Sequence, residues 1–206
     1  MNTTAHSDAR QRILDTAQLI IGKKGFSAVG LNEVLQAVKI PKGSFYHYFS
    51  SKDAFGEALL ESYFASYLAW MEQIFQAPNH SAKDQLMSYW QRWHTSQSSE
   101  DVFGKCLAVK LGAEVADLSE AMRLALDRGT AAIIERLATA LSEGIHDGSL
   151  NVSEPPGHIA LQLYQMWLGA SVMAKITRTA QPFDEAMAAT RRILNDVKPD
   201  QLEVTQ

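Results

Sequence analysis

Residues 25–55, GFSAVGLNEVLQAVKIPKGSFYHYFSSKDAF, decide the fold that this sequence predicts. Within them, the four aliphatic residues of LNEVLQAV (31–38) recur at the spacing of one face of a short helix. Pro41 ends that helix, because proline has no amide hydrogen and disfavours the helical conformation of the residue before it. Proline also suits the first turn of a new helix, so PKGSFYHYF (41–49) predicts a second short helix of about two turns.

The preceding segment predicts a longer helix that supports these two. In DARQRILDTAQLIIGKKGF (8–26) the apolar residues recur at helical spacing, Ser7 or Asp8 is available as an N-cap, and Gly25 is a stop signal. Two short helices joined by a three-residue turn and supported by a longer helix match the helix-turn-helix arrangement. In that arrangement the second short helix enters the major groove of DNA.

The second short helix divides its side chains between two roles. Phe45 and Phe49 lie four residues apart and share one face, which suits packing against the first two helices. Its remaining side chains and the lysine at the start of the next helix can neutralise phosphates, donate hydroxyl hydrogens to them, or reach base edges. These residues are Lys42, Ser44, Tyr46, His47, Tyr48 and Lys52. The alternative is that the whole aromatic run is a hydrophobic plug.

The charge of the chain is unevenly distributed. The net charge is −4, but residues 1–56 hold seven Lys and Arg against four acidic residues, whereas the remainder holds twelve against nineteen. This asymmetry favours a polyanionic partner for the N-terminal part. With 46% apolar and 20% charged residues, the 206-residue composition is that of a globular protein and excludes the disordered and collagen-like classes for all but the ends of the chain.

The composition also indicates a compartment and excludes several classes of site. We expect a cytoplasmic protein, because there is no long apolar run, no apolar signal segment and only one cysteine, Cys106. The six histidines form no His-x-x-x-His pair, and no glycine-rich phosphate loop or Gly-x-Ser-x-Gly turn occurs. We therefore expect no enzyme activity, no metal site and no cofactor.

The rest of the chain predicts helices separated by short turns, and strand signals are nearly absent, so the fold class is all-α. A fourth helix follows a cap at Ser50 or Ser51 and runs to about Ala77. Further helices are predicted at about 81–97, 101–116, 118–147, 155–179 and 183–197.

Residues 25–55 resemble the signature of TetR-type transcriptional regulators, with a short helix, a turn, Gly-x-x-Tyr-x-Tyr-Phe and then Ser-Lys-Asp. The resemblance implies a three-helix DNA-binding head (1–50) and a six-helix body (51–206) for ligand binding and dimerisation. It also implies a repressor that binds operator DNA as a homodimer, contains no membrane segment and is released by a small molecule. The two heads of such a dimer predict a palindromic operator.

Carried over position by position, the resemblance places one set of residues at the DNA. This set is Lys42, Gly43, Ser44, Tyr46, His47 and Tyr48, with Lys52 on a phosphate. The sequence departs from the family pattern at Gly30, Lys39 and Pro41. Lys39 replaces the usual turn glycine and adds a charge where the backbone would approach DNA.

Two apolar stripes near the C-terminal end suggest how two copies pair. One lies on the helix 155–179 and the other on the helix 183–197. Their residues are Ile159, Leu163, Met166, Trp167 and Ala170, and Phe183, Met187, Thr190, Ile193 and Leu194. A four-helix interface between two copies is the hypothesis, and an ordinary core within one chain is the alternative.

The single thiol is a candidate sensor. Cys106 shares a helical stripe with Leu107 and Leu111, and Lys110, one turn later, favours the reactive thiolate. The segments KCLAVKL, AEVADLSEAMR and LYQMWLGASVMAKITR are similar to the subgroup of the family that is related to the N-ethylmaleimide reductase repressor. That similarity implies release by electrophiles or reactive chlorine species, with Cys106 as the sensing thiol and Lys175 as its partner.

Two alternatives stay open at this point. In the first, Cys106 is an inert buried thiol and a non-covalent ligand occupies a pocket lined by the aromatic side chains of the body. In the second, the chain is a helical interaction protein that does not bind DNA.

Overall fold

The structure, a computed structural model, describes residues 3–98 and 107–194 of the chain. These residues form nine α-helices, a single 3₁₀-helix turn and no β-strand, which confirms the all-α prediction for the part described. The helices are α1 (Thr3–Lys24), α2 (Leu31–Ala37), α3 (Phe45–Tyr48), α4 (Lys52–Phe75), α5 (Ala82–Ser98), α6 (Leu107–Leu118), α7 (Glu120–His146), α8 (Pro156–Thr177) and α9 (Gln181–Leu194). The 3₁₀-helix covers Lys42–Ser44.

The main difference from the predicted helices is at the start of α1. It begins at Thr3, so the predicted cap at Ser7 or Asp8 is wrong. Residues 3–6 contain neither proline nor glycine, and nothing in them stops the helix from continuing toward the N-terminus. Gly25, with φ of +93°, follows the last residue of α1, as the sequence predicts.

The chain divides into two compact units. The first contains Met1–Ala69 and Ser99–Ala131, and the second contains Trp70–Ser98 and Ala132–Gln206. The division falls within α4 and within α7, so each of these long helices contributes residues to both units. The domain boundary that the sequence predicts, between residues 50 and 51, lies inside the first unit and stays a prediction about where the DNA-binding head ends.

The core of the first unit is formed by the apolar faces of the short helices and of α1. Ile13, Ala17 and Ile21 of α1 are buried, as are Val34 and Leu35 of α2. These residues belong to the inner faces that the helical spacing predicts, whose other members, Ile20, Leu31 and Val38, are half-buried. A helix of seven residues is marginal in isolation, so α2 depends on this packing for its stability.

The core of the second unit is aromatic. The indole rings of Trp90 in α5 and Trp167 in α8 stack with centroids 5.2 Å apart. The indole N–H of Trp167 donates to the hydroxyl of Thr190 in α9 over 2.9 Å, and that of Trp93 donates to the hydroxyl of Ser171 over 3.1 Å. These side chains belong to one core that ties α5, α8 and α9 together.

The two stripes predicted as an interface between copies are therefore mostly core within one chain. Eight of their ten residues are buried, namely Ile159, Leu163, Trp167, Ala170, Phe183, Met187, Thr190 and Leu194. The assignment of these buried side chains to an interface is wrong, because helical spacing shows which residues share a face but not what covers it.

A different face of α8 carries exposed apolar side chains. Leu161, Val172, Met173 and Ile176 are all exposed, the last by 68%. Gly169 lies on the same face, and a Cβ atom added there would meet no atom of residues 3–98 and 107–194 within 4 Å.

Of the helices described, none combines the length and the apolar character that crossing a membrane requires.

Candidate nucleic-acid interface

The turn between α2 and α3 is closed by backbone hydrogen bonds around Lys39. The N–H of Ile40 donates to the carbonyl of Leu35 over 2.9 Å, and the N–H of Lys39 donates to that of Gln36 over 3.1 Å. Lys39 itself has φ of +57°, the left-handed conformation that glycine adopts most readily. The position therefore has the geometry for which the family pattern uses glycine, and this chain has lysine there instead.

The segment after the turn forms two continuous helical turns. Pro41 precedes the 3₁₀-helix with φ of −59°, and its carbonyl accepts the N–H of Ser44 over 2.9 Å. The 3₁₀-helix leads directly into α3, which ends at Tyr48. The two-turn helix predicted for residues 41–49 is thus present, with its first turn wound more tightly than an α-helix.

Three phenylalanines anchor this helix to the protein. Phe45 and Phe49 are only 2% and 3% exposed, and each ring packs edge-on against Phe55 of α4, at centroid distances of 5.6 and 5.1 Å. The guanidinium of Arg10 in α1 lies 5.2 Å from the centre of the Phe49 ring. The inner face predicted for Phe45 and Phe49 is therefore present, and it fixes the helix against both α1 and α4.

The opposite face is open to a partner. Tyr46 is 68% exposed and rests edge-on against Phe45, with ring centroids 5.4 Å apart. Most of the other predicted DNA-contacting residues are exposed as well, namely Lys39, Lys42, Gly43, His47 and Lys52, while Ser44 and Tyr48 are half-buried. The prediction that all eight contact DNA stays a prediction, but the structure brings them to one region and none is sealed inside.

Gly43 has no structural reason to be glycine in the part of the chain that the structure describes. A Cβ atom added there would meet no described atom within 4 Å, and its φ is not positive. A larger side chain would therefore fit at this position unless another molecule lay close to it. This is consistent with the predicted close approach of a DNA backbone at Gly43.

Lys52 is held at the first residue of α4. Its ammonium lies 5.0 Å from the centre of the Phe26 ring, a cation–π distance. Phe26 is buried and packs against Gly56, one turn further along α4, where an added Cβ would come within 2.9 Å of its ring. The Phe26 ring is thus a platform between the end of α1 and the first turn of α4.

One residue that contacts this region, Glu114, is not predicted from the sequence. The carboxylate of Glu114 in α6 accepts the backbone N–H of Ser27 over 2.6 Å and that of Phe26 over 3.1 Å. Partial burial by itself would raise the pKa of Glu114, but hydrogen bonds from Ser27 and Phe26 and the nearby Lys110 ammonium outweigh it and lower that pKa. No local pattern around residue 114 signals a contact with a segment 88 residues earlier.

The predicted sensing residues are only partly within the described structure. Cys106 lies outside the described residues. Lys110 is half-buried in α6, and one of the groups that its ammonium influences is Glu114. Lys175 is exposed in the last turn of α8. Its pairing with Cys106 stays a prediction.

The family match agrees with this geometry. The family described as "Bacterial regulatory proteins, tetR family" matches residues 13–59, and "Tetracyclin repressor-like, C-terminal domain" matches residues 82–190. The chain belongs to the TetR family of transcriptional regulators, and its helix-turn-helix is the family's DNA-binding motif. It is a transcriptional regulator and not an enzyme.

Individual relatives show the same function. The chain is 38% identical to the HTH-type transcriptional repressor NemR of Escherichia coli over 94% of this chain and 98% of that protein. It is 29% identical to the transcriptional regulator AcuR of Cereibacter sphaeroides, over 84% and 80% of the two chains. The crystal structure of the reduced form of E. coli NemR superposes with a TM-score of 0.86 at 39% identity, covering 93% of this chain and 99% of that one.

Lys39 provides a test of the turn. Replacing it by glycine removes the cost of the left-handed conformation for a residue with a side chain, about 1–2 kcal/mol. Against this gain, the greater freedom of glycine in the unfolded chain costs about 0.5–1 kcal/mol. We expect Lys39→Gly to raise the free energy of unfolding in urea titrations by about 0.75 kcal/mol, the difference between the two central values, and to weaken operator binding.

Lys39→Gln is the matched control for this change. It removes the charge and keeps the side chain, so it should weaken operator binding to a similar extent without raising stability. Equal stability of Lys39→Gly and Lys39→Gln would contradict the assignment of strain to this turn.

Proposed function

We propose that the protein is a homodimeric repressor that binds a palindromic operator in the cytoplasm and is released when Cys106 reacts with an electrophile or oxidant. The observation that carries the DNA-binding part is the two-sided helical segment 42–49, whose phenylalanines are buried while Lys42, Tyr46 and His47 face outward. In this proposal residues 1–50 form the DNA-binding head and residues 51–206 the sensing and dimerising body.

The dimer would use α8 and α9. The exposed face of α8 combines Val172, Met173 and Ile176 with Gly169, which leaves room for a second helix to approach closely. Contiguous exposed apolar side chains of this kind are typical of protein–protein contacts. Two copies paired through α8 and α9 would present two heads to successive half-sites about one turn of DNA apart, roughly 34–36 Å.

A charge on this face should separate the two copies. In Met173→Glu each copy would have to bury an unpaired carboxylate, and a symmetric interface would contain two of them. We expect Met173→Glu to sediment as a monomer at micromolar concentrations at which the unaltered protein is a dimer. Operator affinity should fall at least tenfold, because the two heads are no longer joined.

Ile145→Glu is the matched control, since Ile145 is an exposed apolar side chain of α7 and not of α8. It should remain dimeric. Dimeric Met173→Glu would refute the α8 face as the interface.

The sensing part rests on the relatives and on the sequence. One of these relatives, E. coli NemR, has a crystal structure of its reduced form. Cys106 is the only cysteine of the chain and immediately precedes Leu107, the first residue of α6. In this proposal Lys110 favours the thiolate, and Lys175 is the partner of Cys106 in the oxidised state.

Treatment with N-ethylmaleimide tests the thiol. The Cys106 thiolate would add to the maleimide double bond and the adjacent carbon would take a proton, giving one stable adduct. We expect the adduct to be detected by mass spectrometry and operator affinity to fall at least tenfold in gel-shift assays. Cys106→Ser should bind the operator before and after treatment, and its release by the reagent would contradict the proposal.

The Lys175→Gln variant distinguishes the role of Lys175 from that of Cys106. It should still release DNA on alkylation, because the maleimide needs no second residue. It should respond less than the unaltered protein to hypochlorous acid.

A non-covalent effector is the second candidate, and one observation favours it. The indole N–H of Trp90 is fully buried in the aromatic core and has no hydrogen-bond acceptor in the part of the chain that the structure describes. A buried donor without an acceptor costs about 1–3 kcal/mol. An aromatic ligand with a carbonyl oxygen would supply the acceptor, and quenching of tryptophan fluorescence by such a ligand would detect it.

A further inference from the structure

The contact between α6 and the end of α1 is specific and long-range. One carboxylate, that of Glu114, accepts two consecutive backbone N–H groups, those of Phe26 and Ser27. Hydrogen bonds to a charged acceptor are roughly twice as strong as neutral ones. Because both donors belong to the backbone, the contact fixes the path of the chain at this point and not only one side chain.

Gly25, which precedes Phe26, lies close to the carboxylate of Glu114. Gly25 has φ of +93°, and a Cβ atom added there would lie 3.0 Å from the Glu114 side-chain oxygen Oε2. Any other residue would meet both the backbone strain and this oxygen. Gly25, Phe26, Ser27 and Glu114 therefore form a single fitted contact within the first unit.

The contact continues to a predicted DNA-binding residue. Phe26, whose N–H is held by Glu114, packs its ring against Gly56 of α4 and lies beneath the ammonium of Lys52. A shift of the backbone at Phe26 would move the ring, and the ring is a surface on which Lys52 rests. The position of Lys52 is thus coupled to Glu114 through one aromatic side chain.

We propose that Glu114 is a positioning residue for operator binding, which places the Lys52 ammonium for contact with a DNA phosphate by holding the backbone of Phe26 and Ser27. The inference rests on the proposed role of Lys52 at a phosphate. It makes α6 a determinant of DNA affinity although the DNA-contacting face lies on α3 and the start of α4.

The salt dependence of operator binding distinguishes this role from simple destabilisation. Each phosphate contact contributes about −0.9 to the slope of log affinity against log salt concentration, so a dimer that loses one contact per subunit loses about 1.8. A variant that is only partly folded contains less active protein, but the slope of log affinity against log salt concentration is unchanged. The slope therefore reports the phosphate contact itself.

Four proteins are compared by fluorescence anisotropy on an operator fragment between 50 and 200 mM salt: the unaltered protein, Lys52→Ala, Glu114→Ala and the double variant. We expect each single variant to reduce the steepness of the slope by about 1.8, and the double variant to reduce it by no more than either single variant does. Additive losses, an unaltered slope in Glu114→Ala or an unaltered slope in Lys52→Ala would each overturn the proposal.

Two further variants control for folding. Glu114→Gln keeps the shape of the side chain but directs amide hydrogens at one of the two backbone donors. We therefore expect its slope to become less steep, as in Glu114→Ala. Glu120→Gln is the matched control, because Glu120 is exposed in the first turn of α7 and pairs locally with Arg123. It should keep the unaltered slope.

The proposed DNA contacts and the role of Glu114 would be refuted by different results. An unaltered protein whose operator binding shows no salt dependence would refute the proposed DNA contacts as a whole. A steep slope in the unaltered protein that Glu114→Ala retains would refute only the role of Glu114.

Discussion

The burial of Phe45 and Phe49 against Phe55 is the interaction on which the DNA-binding surface depends. A four-residue α-helix preceded by one 3₁₀ turn has too few hydrogen bonds of its own to persist in water. The phenylalanine contacts supply the tertiary packing that holds it, and because they use one face they leave Tyr46 and His47 outside. Stability and recognition are thus assigned to opposite sides of the eight residues 42–49.

The same division explains why this part of the fold could be predicted from sequence. The alternation of buried Phe45 and Phe49 with polar neighbours, Pro41 at the start and the aliphatic spacing of residues 31–38 are local patterns with local causes. Each of them agrees with the helix-turn-helix arrangement. The structure has these helices at the predicted places, and only the early start of α1 at Thr3 departs from the local signals.

Two features could not be predicted in the same way, since they depend on what lies across from a residue. The apolar stripe containing Ile159 and Trp167 is covered by α5 and α9 of the same chain, whereas Met173 and Ile176 on another face of α8 are left exposed. Spacing alone does not distinguish these faces. Glu114 is a similar case, because its two donors are set by the tertiary fold and not by any neighbouring sequence.

The central claim is that the outward face of residues 42–52 binds duplex DNA through its cations and hydroxyls. The most direct measurement is the affinity of the purified protein for DNA from upstream of its own gene, between 50 and 200 mM salt. Binding through six to ten phosphates predicts a fall in affinity of about 10³–10⁵-fold over that range. An affinity that does not change with salt, or no binding to any fragment at 50 mM, would contradict the claim.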